Sequence, residues 1–203
     1  DRFCILYTRE RGRLAARVSG ARKPKSRLGA ALLPFHRILV ELRELRGGFL
    51  VTSAVRKEQA RDTYKDVRCF AQAAEGVELL LTLVRDMEPA PELFDLTEEF
   101  LMLCNAPSRR VLVAYLLRVL SLLGYLPDSA SSAFVPSLAE DEAAFLFACT
   151  QGSSPFDAEA KGVPTLASYD RLQAQCLALL RENVDITLRA SLVGEEIHAS
   201  LSR

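Results

Sequence analysis

Residues 36–55 read HRILVELRELRGGFLVTSAV, and the fold class turns on this stretch. Ile38, Val40 and Leu42 fall on one side of a period-two pattern, with Arg37, Glu41 and Arg43 among the polar positions. That alternation is the signal of a half-buried strand. Helix competes for 37–46, because Glu, Leu and Arg are good helix formers. Gly47-Gly48 is a hairpin signal, and Phe49–Val55 is a second β-prone run, so the pair reads as a β-hairpin.

Towards the N-terminus the same period holds. Phe3–Thr8 is a short apolar run, Glu10-Arg11-Gly12 supplies a turn, and residues 13–19 alternate imperfectly. Residues 20–30, GARKPKSRLGA, read as a loop broken by Gly20, Pro24 and Gly29. Four strands with short connections and no long helix predict a small barrel or half-barrel.

Towards the C-terminus the period becomes helical from about residue 58. Val67, Phe70, Ala71, Ala74, Val77, Leu80, Leu81 and Val84 follow 3/4 spacing, as does Tyr64 before them, predicting one long amphipathic helix that ends before Pro89. A second helix is expected at 92–104. A third runs from Pro107, at its start, to Leu123; its VLVAYLLRVLSLLG marks the central helix of a bundle, ended by Gly124. Ser/Ala/Pro and Gly/Ser/Pro loops at 127–138 and 152–168 flank a helix at 139–150, and a last helix is expected near 169–190. The class is α+β, with a strand domain over residues 1–57 and a helical domain over 58–203.

The chain has 203 residues, 49% hydrophobic and 26% charged, which excludes a disordered chain and is long enough to bury a sizeable core. No apolar run of about 18 residues lacks a charge, so no membrane-spanning helix is expected. The N-terminus lacks the layout of a secretory signal. It has no Met and enters an apolar run two residues in, which predicts a natural beginning further upstream.

The net charge of zero conceals two opposite halves. Residues 1–61 carry 15 Lys+Arg against 5 Asp+Glu, a net +10; residues 62–203 carry 11 against 21, a net −10. Such asymmetry points to a polyanion on one half, and the charge break coincides with the period break.

Nothing in the chain points to catalysis. The five cysteines, Cys4, Cys69, Cys104, Cys149 and Cys176, are never closer than 27 residues, so no zinc knuckle or redox pair is expected; they read as buried thiols of a reducing cytoplasm. His36 and His198 read as ordinary surface histidines, and no phosphate-binding glycine motif occurs. Glu98-Glu99 and Asp141-Glu142 read as solvated helix surface rather than metal ligands.

The informative segment is residues 20–27, where Arg22, Lys23, Lys25 and Arg27 place four cations within six positions around Pro24. Cations on a loop between strands can follow a phosphate backbone and release its counterions. Arg9, Arg11, Arg13 and Arg17 extend the stripe. Phe3, Tyr7, Phe35 and Phe49 are sparse as stacking platforms and read more readily as core. The expected mode is backbone binding with little sequence preference.

These residues also resemble a known family. Thr8-Arg9-Glu10-Arg11-Gly12, then Gly20-Ala21-Arg22-Lys23-Pro24-Lys25-Ser26, then Leu33-Pro34-Phe35 are similar to the T-x-E-x-G, G-A-R-x-P-K-S and L-x-P-F motifs of the RecO recombination mediators. Leu123-Gly124-Tyr125 resembles the end of that family's buried helix. The resemblance implies an OB-fold barrel, its first strand missing here, followed by a helical domain.

It further implies a non-enzymatic protein that binds single- and double-stranded DNA and anneals complementary strands. With RecR it would help load RecA onto DNA coated by single-strand binding protein. The loop cations would contact DNA, and Arg109, Arg110 and Arg118 could meet the acidic tail of single-strand binding protein. Residues 127–138 hold no cysteine where many members carry a four-cysteine zinc module, so zinc is not expected. The implied location is the bacterial cytoplasm, at the nucleoid when DNA is bound. The alternatives are an OB-fold adaptor that lacks annealing activity and an RNA-binding protein.

Overall fold

The hairpin at the heart of the sequence forms. Strand β3 (Ile38–Leu45) runs antiparallel to β4 (Gly48–Arg56), with Leu45 opposite Gly48. The turn residues are therefore Arg46 and Gly47, one position earlier than the glycine pair suggests. Gly47 holds φ +91°, a region glycine enters without steric cost. Glu41 and Leu42 face Ser53 and Val51, so Thr52 is an inserted bulge residue whose hydroxyl donates to the Glu41 carbonyl at 3.1 Å. The computed structural model describes residues 2–21, 26–57, 66–126, 138–151, 154–157 and 164–184.

Strands β1 (Arg2–Thr8) and β2 (Gly12–Val18) make a second antiparallel hairpin. The two hairpins meet side by side in parallel, through Ala16 beside Phe49 and Arg17 beside Leu50, giving the order β1-β2-β4-β3. The concave face carries Leu14, Ala16, Val18 and Val51, all buried, with Leu28 and Leu32 packed over them. Among the described residues the sheet stays open, with β1 and β3 as its edges. The expected barrel or half-barrel is realised, among the described residues, as an open four-stranded sheet.

Residues 20–30 are not all loop. Ser26 accepts a hydrogen bond from the Gly29 N–H at 3.2 Å and caps a short helix, α1 (Arg27–Ala31). Arg56 ties it to β4 by donating to the Ala30 carbonyl at 2.7 Å.

The helical half comprises α2 (Val67–Leu83), α3 (Pro91–Leu103), α4 (Arg109–Leu122), α5 (Glu140–Gln151) and α6 (Leu166–Val184). Helix α2 starts after Asp66, which caps it by accepting from the Arg68 N–H at 2.8 Å; the earlier part of the expected helical stretch, 58–65 with Tyr64, lies outside the described residues. Pro107 stands outside α4. Its cap is Ser108, which accepts from the Val111 N–H at 3.4 Å. Helix α6 begins earlier than expected because Thr165 accepts from the Ser168 N–H at 3.2 Å. Helix α4 is the central helix the sequence predicts, with Leu112–Leu117, Val119 and Leu120 buried. Phe100 stacks on Tyr115 at 4.1 Å between ring centroids, and the Tyr115 hydroxyl lies 2.9 Å from Thr97 Oγ1.

The acidic pairs are not solvated surface. Glu98 binds Arg37, and Glu99 accepts from Ser154 Oγ at 2.8 Å. Asp141 accepts from Ser168 Oγ at 2.9 Å. Glu142 is 1% exposed; it caps its own helix through the Ala139 N–H and receives Arg171 at 2.7 Å. Adjacent spacing carries no sign of these partners, which come from other elements of the chain.

Candidate nucleic-acid interface

Alternation in β2 sends Leu14, Ala16 and Val18 inward and Arg13, Ala15 and Arg17 to the outer face. Register then builds a row across the sheet. Phe3 is opposite Arg17, Arg17 is beside Leu50, and Leu50 is opposite Arg43. Phe3 is 76% exposed, so it is surface rather than core, and Arg17 and Arg43 are both exposed. Exposed Ile5 and Leu45 border the row. An aromatic ring and two guanidiniums on one face can stack bases and neutralise phosphates. Arg43 and Leu50 escape a reading of the sequence, because the parallel contact between hairpins leaves no local trace.

The basic stripe of Arg9, Arg11, Arg13 and Arg17 divides. Arg9 makes a bidentate pair with Asp95, both contacts at 2.9 Å, and this hydrogen bonding holds the Asp95 carboxyl below its usual range. Arg13 donates to Asp86 at 2.6 Å and also to the Leu81 carbonyl. Both therefore join the sheet to the helical half. Around them the Met87 N–H donates to the Arg13 carbonyl at 2.9 Å, and the Tyr7 hydroxyl donates to the Ala90 carbonyl at 3.4 Å. Tyr7 also lies against Phe94, and Phe35 meets Phe70 edge-on. Arg37 completes this seam by binding Glu98. Arg11 instead stands over the Phe49 ring, 5.8 Å from its centroid.

Arg27 is exposed at the first position of α1. Arg22, Lys23 and Lys25 lie outside the described residues, but their anchors are placed. Ala21 is buried against the concave core, and Ser26 is the α1 cap. The chain thus enters this segment three residues beyond Val18, which pairs with Arg2 at the Phe3 end of the sheet.

In the helical half, Arg109 pairs with Asp170 at 3.1 Å and donates to Gln173 at 2.9 Å. Arg118 donates to the Thr150 carbonyl, and Arg110 is half-buried on the first turn of α4. Arg109 also lines a cleft of about 220 Å³ with Arg68, Gln72, Glu75 and Ser108. Gln173 donates to the buried Glu75 at 2.5 Å.

None of the five cysteines is in a disulfide, and four of them are buried; burial pushes the Cys149 and Cys176 thiols up to about 12. His36 Nδ1 lies 2.7 Å from the Pro34 carbonyl, and His198 is outside the described residues. Among the described residues no three His, Cys, Asp or Glu side chains could hold a metal, and no helix is long and apolar enough to cross a membrane.

The family models described as recombination protein O N terminal and recombination protein O C terminal match residues 1–55 and 66–182. The DNA repair protein RecO of Myxococcus xanthus is 40% identical over 144 residues, 64% of this chain and 56% of that one. The DNA repair protein RecO of Anaeromyxobacter dehalogenans strain 2CP-C is 35% identical over 195 residues, 88% of this chain and 74% of that one. The chain thus spans little more than half of the first relative. The open four-stranded sheet followed by a set of helices fits the OB-fold and helical domains of the RecO family. By both its strand half and its helical half, the chain belongs to the RecO family of DNA repair and recombination proteins.

Proposed function

We propose that this chain is a recombination mediator that binds single- and double-stranded DNA and anneals complementary strands. The observation that carries the reading is the row Phe3–Arg17–Leu50–Arg43, at the end of the sheet from which the chain enters the Arg22–Arg27 segment. Cations there screen the repulsion between two phosphate backbones, so that bases can pair. The seam keeps Asp86, Asp95 and Glu98 engaged with arginines, away from that surface.

On the same reading, the protein acts without catalysing a reaction and without zinc, in the bacterial cytoplasm. It works with RecR to load RecA onto DNA coated by single-strand binding protein. The acidic tail of single-strand binding protein reaches Arg109, Arg110 and Arg118 by replacing carboxylates such as Asp170, whose side chain is half exposed.

The test is annealing of complementary strands coated with single-strand binding protein, alongside anisotropy of a labelled strand over a salt series. Wild type anneals, and its affinity falls steeply with salt. The variant with Arg17, Arg22, Lys23, Lys25 and Arg27 all changed to Ala binds weakly with a flattened salt slope. Affinity that ignores salt, or a variant that binds as wild type does, overturns the reading. Equal or tighter binding to an RNA strand of the same sequence would favour an RNA-binding protein instead.

A further inference from the structure

The concave side of the sheet ends in a hollow of about 270 Å³ between the β1–β2 turn and the β3–β4 hairpin. Its wall includes Leu14, Leu42 and Phe49, and its rim carries Glu10, Arg11 and Glu44. Arg11 stands over the Phe49 ring, and Glu44 is paired with Phe49 across the strands.

The rim carries two carboxylates and one guanidinium. Its net negative charge repels phosphate, so the hollow is no part of the backbone-binding surface. A cationic side chain from a partner protein would meet Arg11. The chemistry left is a flat ligand with an apolar face for Phe49 and hydrogen-bond donors on its edge for Glu10 or Glu44.

We propose that this hollow receives a nucleobase of the bound single strand and favours one with an exocyclic amine. The proposal rests on the DNA-binding reading and adds to it a base-contacting site. The base takes the ring face of Phe49, and Arg11, an exposed turn residue, covers its other side. Carboxylates accept from the cytosine N4 amine, whereas thymine presents only the O4 acceptor at that position. Entry follows from the neighbouring residue: Arg43 precedes Glu44 on edge strand β3 and faces the opposite side of the sheet. A phosphate held by Arg43 leaves an adjacent base within reach of the hollow around that edge.

The experiment compares oligo(dC) and oligo(dT) of equal length at neutral pH and one salt concentration, because the two strands carry the same charge. Wild type binds oligo(dC) roughly 5- to 100-fold more tightly, the ordinary span of a good base contact. Replacing both glutamates, Glu10→Ala with Glu44→Ala, brings the ratio to one; loss of negative charge tightens both strands alike. Phe49→Leu, which keeps an apolar side chain without a ring face, weakens both strands. These glutamates are exposed rim residues, so the double variant carries the test even if the Phe49 variant folds poorly. A wild-type ratio of one, or an unchanged ratio in the double variant, overturns the base site while leaving phosphate binding intact. Failure to bind either strand overturns the DNA reading itself, and this site with it.

Discussion

Gly12, the first residue of β2, lies against the backbone of Glu88 in the connection between α2 and α3. A β-carbon on Gly12 would stand 2.0 Å from the Glu88 carbonyl oxygen. The residue also sits at φ +65°, where a side chain is strained whatever the space. The sheet therefore docks on the helical half by direct backbone approach. Gly12→Ala should destabilise by roughly 2 kcal/mol or more, combining left-handed strain with an overlap that no rotamer relieves. Urea unfolding measures it; a midpoint within error of wild type would mean that the contact opens at no cost.

Arg13 and Arg17 lie four positions apart on the same face of one strand, and the proposed function gives them different work. Arg13→Ala removes the contacts to Asp86 and to the Leu81 carbonyl, so it should lower Tm and leave DNA affinity nearly unchanged. Arg17→Ala should weaken single-strand binding and reduce the salt slope by about one phosphate contact. Thermal melts and salt-titrated anisotropy on both variants separate the roles, and a reversed pattern would count against the division.

Acid should lower stability at two aspartates that sit beside identifiable arginines. The Arg68 side chain and backbone hydrogen-bond to Asp66 and hold its carboxyl down to about 2, against about 3.9 in an unfolded chain. Asp95 is lowered by Arg9. A depressed folded value means that the stabilisation is complete above about pH 4 and drains away as pH falls towards 2. Tm should be level from pH 7 to 5 and drop below 4. Asp66→Asn and Asp95→Asn should each start lower and fall less; a parallel drop in the variants would place the acid sensitivity elsewhere.

Phe100 anchors the helical core against Tyr115. Phe100→Ala should cost about 3–5 kcal/mol, since the site is fully enclosed and Gly76 packs directly on the ring. Tyr115→Phe should cost only about 1 kcal/mol, because Thr97 keeps its hydrogen bond to the Leu93 carbonyl at 2.6 Å. Denaturant midpoints with unchanged m-values would place both effects in the folded core.

Local chemistry was legible in the sequence, and long-range placement was not. Alternation at 38–45, the nearby glycines and the apolar run of α4 each report on neighbours within a few residues, and each gave its element. Ser26, Ser108 and Thr165 carried capping signals that an eye on Pro24 and Pro107 passes over. The half-barrel had no marker of its parallel junction, so Arg43 could not be aligned with Arg17. Arg9 and Arg13 look identical to Arg17 in a charge tally, because a tally does not know that Asp95 and Asp86 lie across the seam. Phe3, taken for core by its type, is exposed because it falls on the outer face of edge strand β1.

The seam also changes what a dissection of this protein would isolate. Arg9, Arg13 and Arg37 each meet a carboxylate that belongs to the other half. Cut after Arg56, the sheet would carry those three guanidiniums without their counter-ions and gain a second cationic surface. Such a fragment would cling to any polyanion, nucleic acid or heparin alike, with a stickiness the intact molecule does not have. The acidic bundle thus works as an internal blotter, neutralising three guanidiniums that the isolated sheet would leave unmatched.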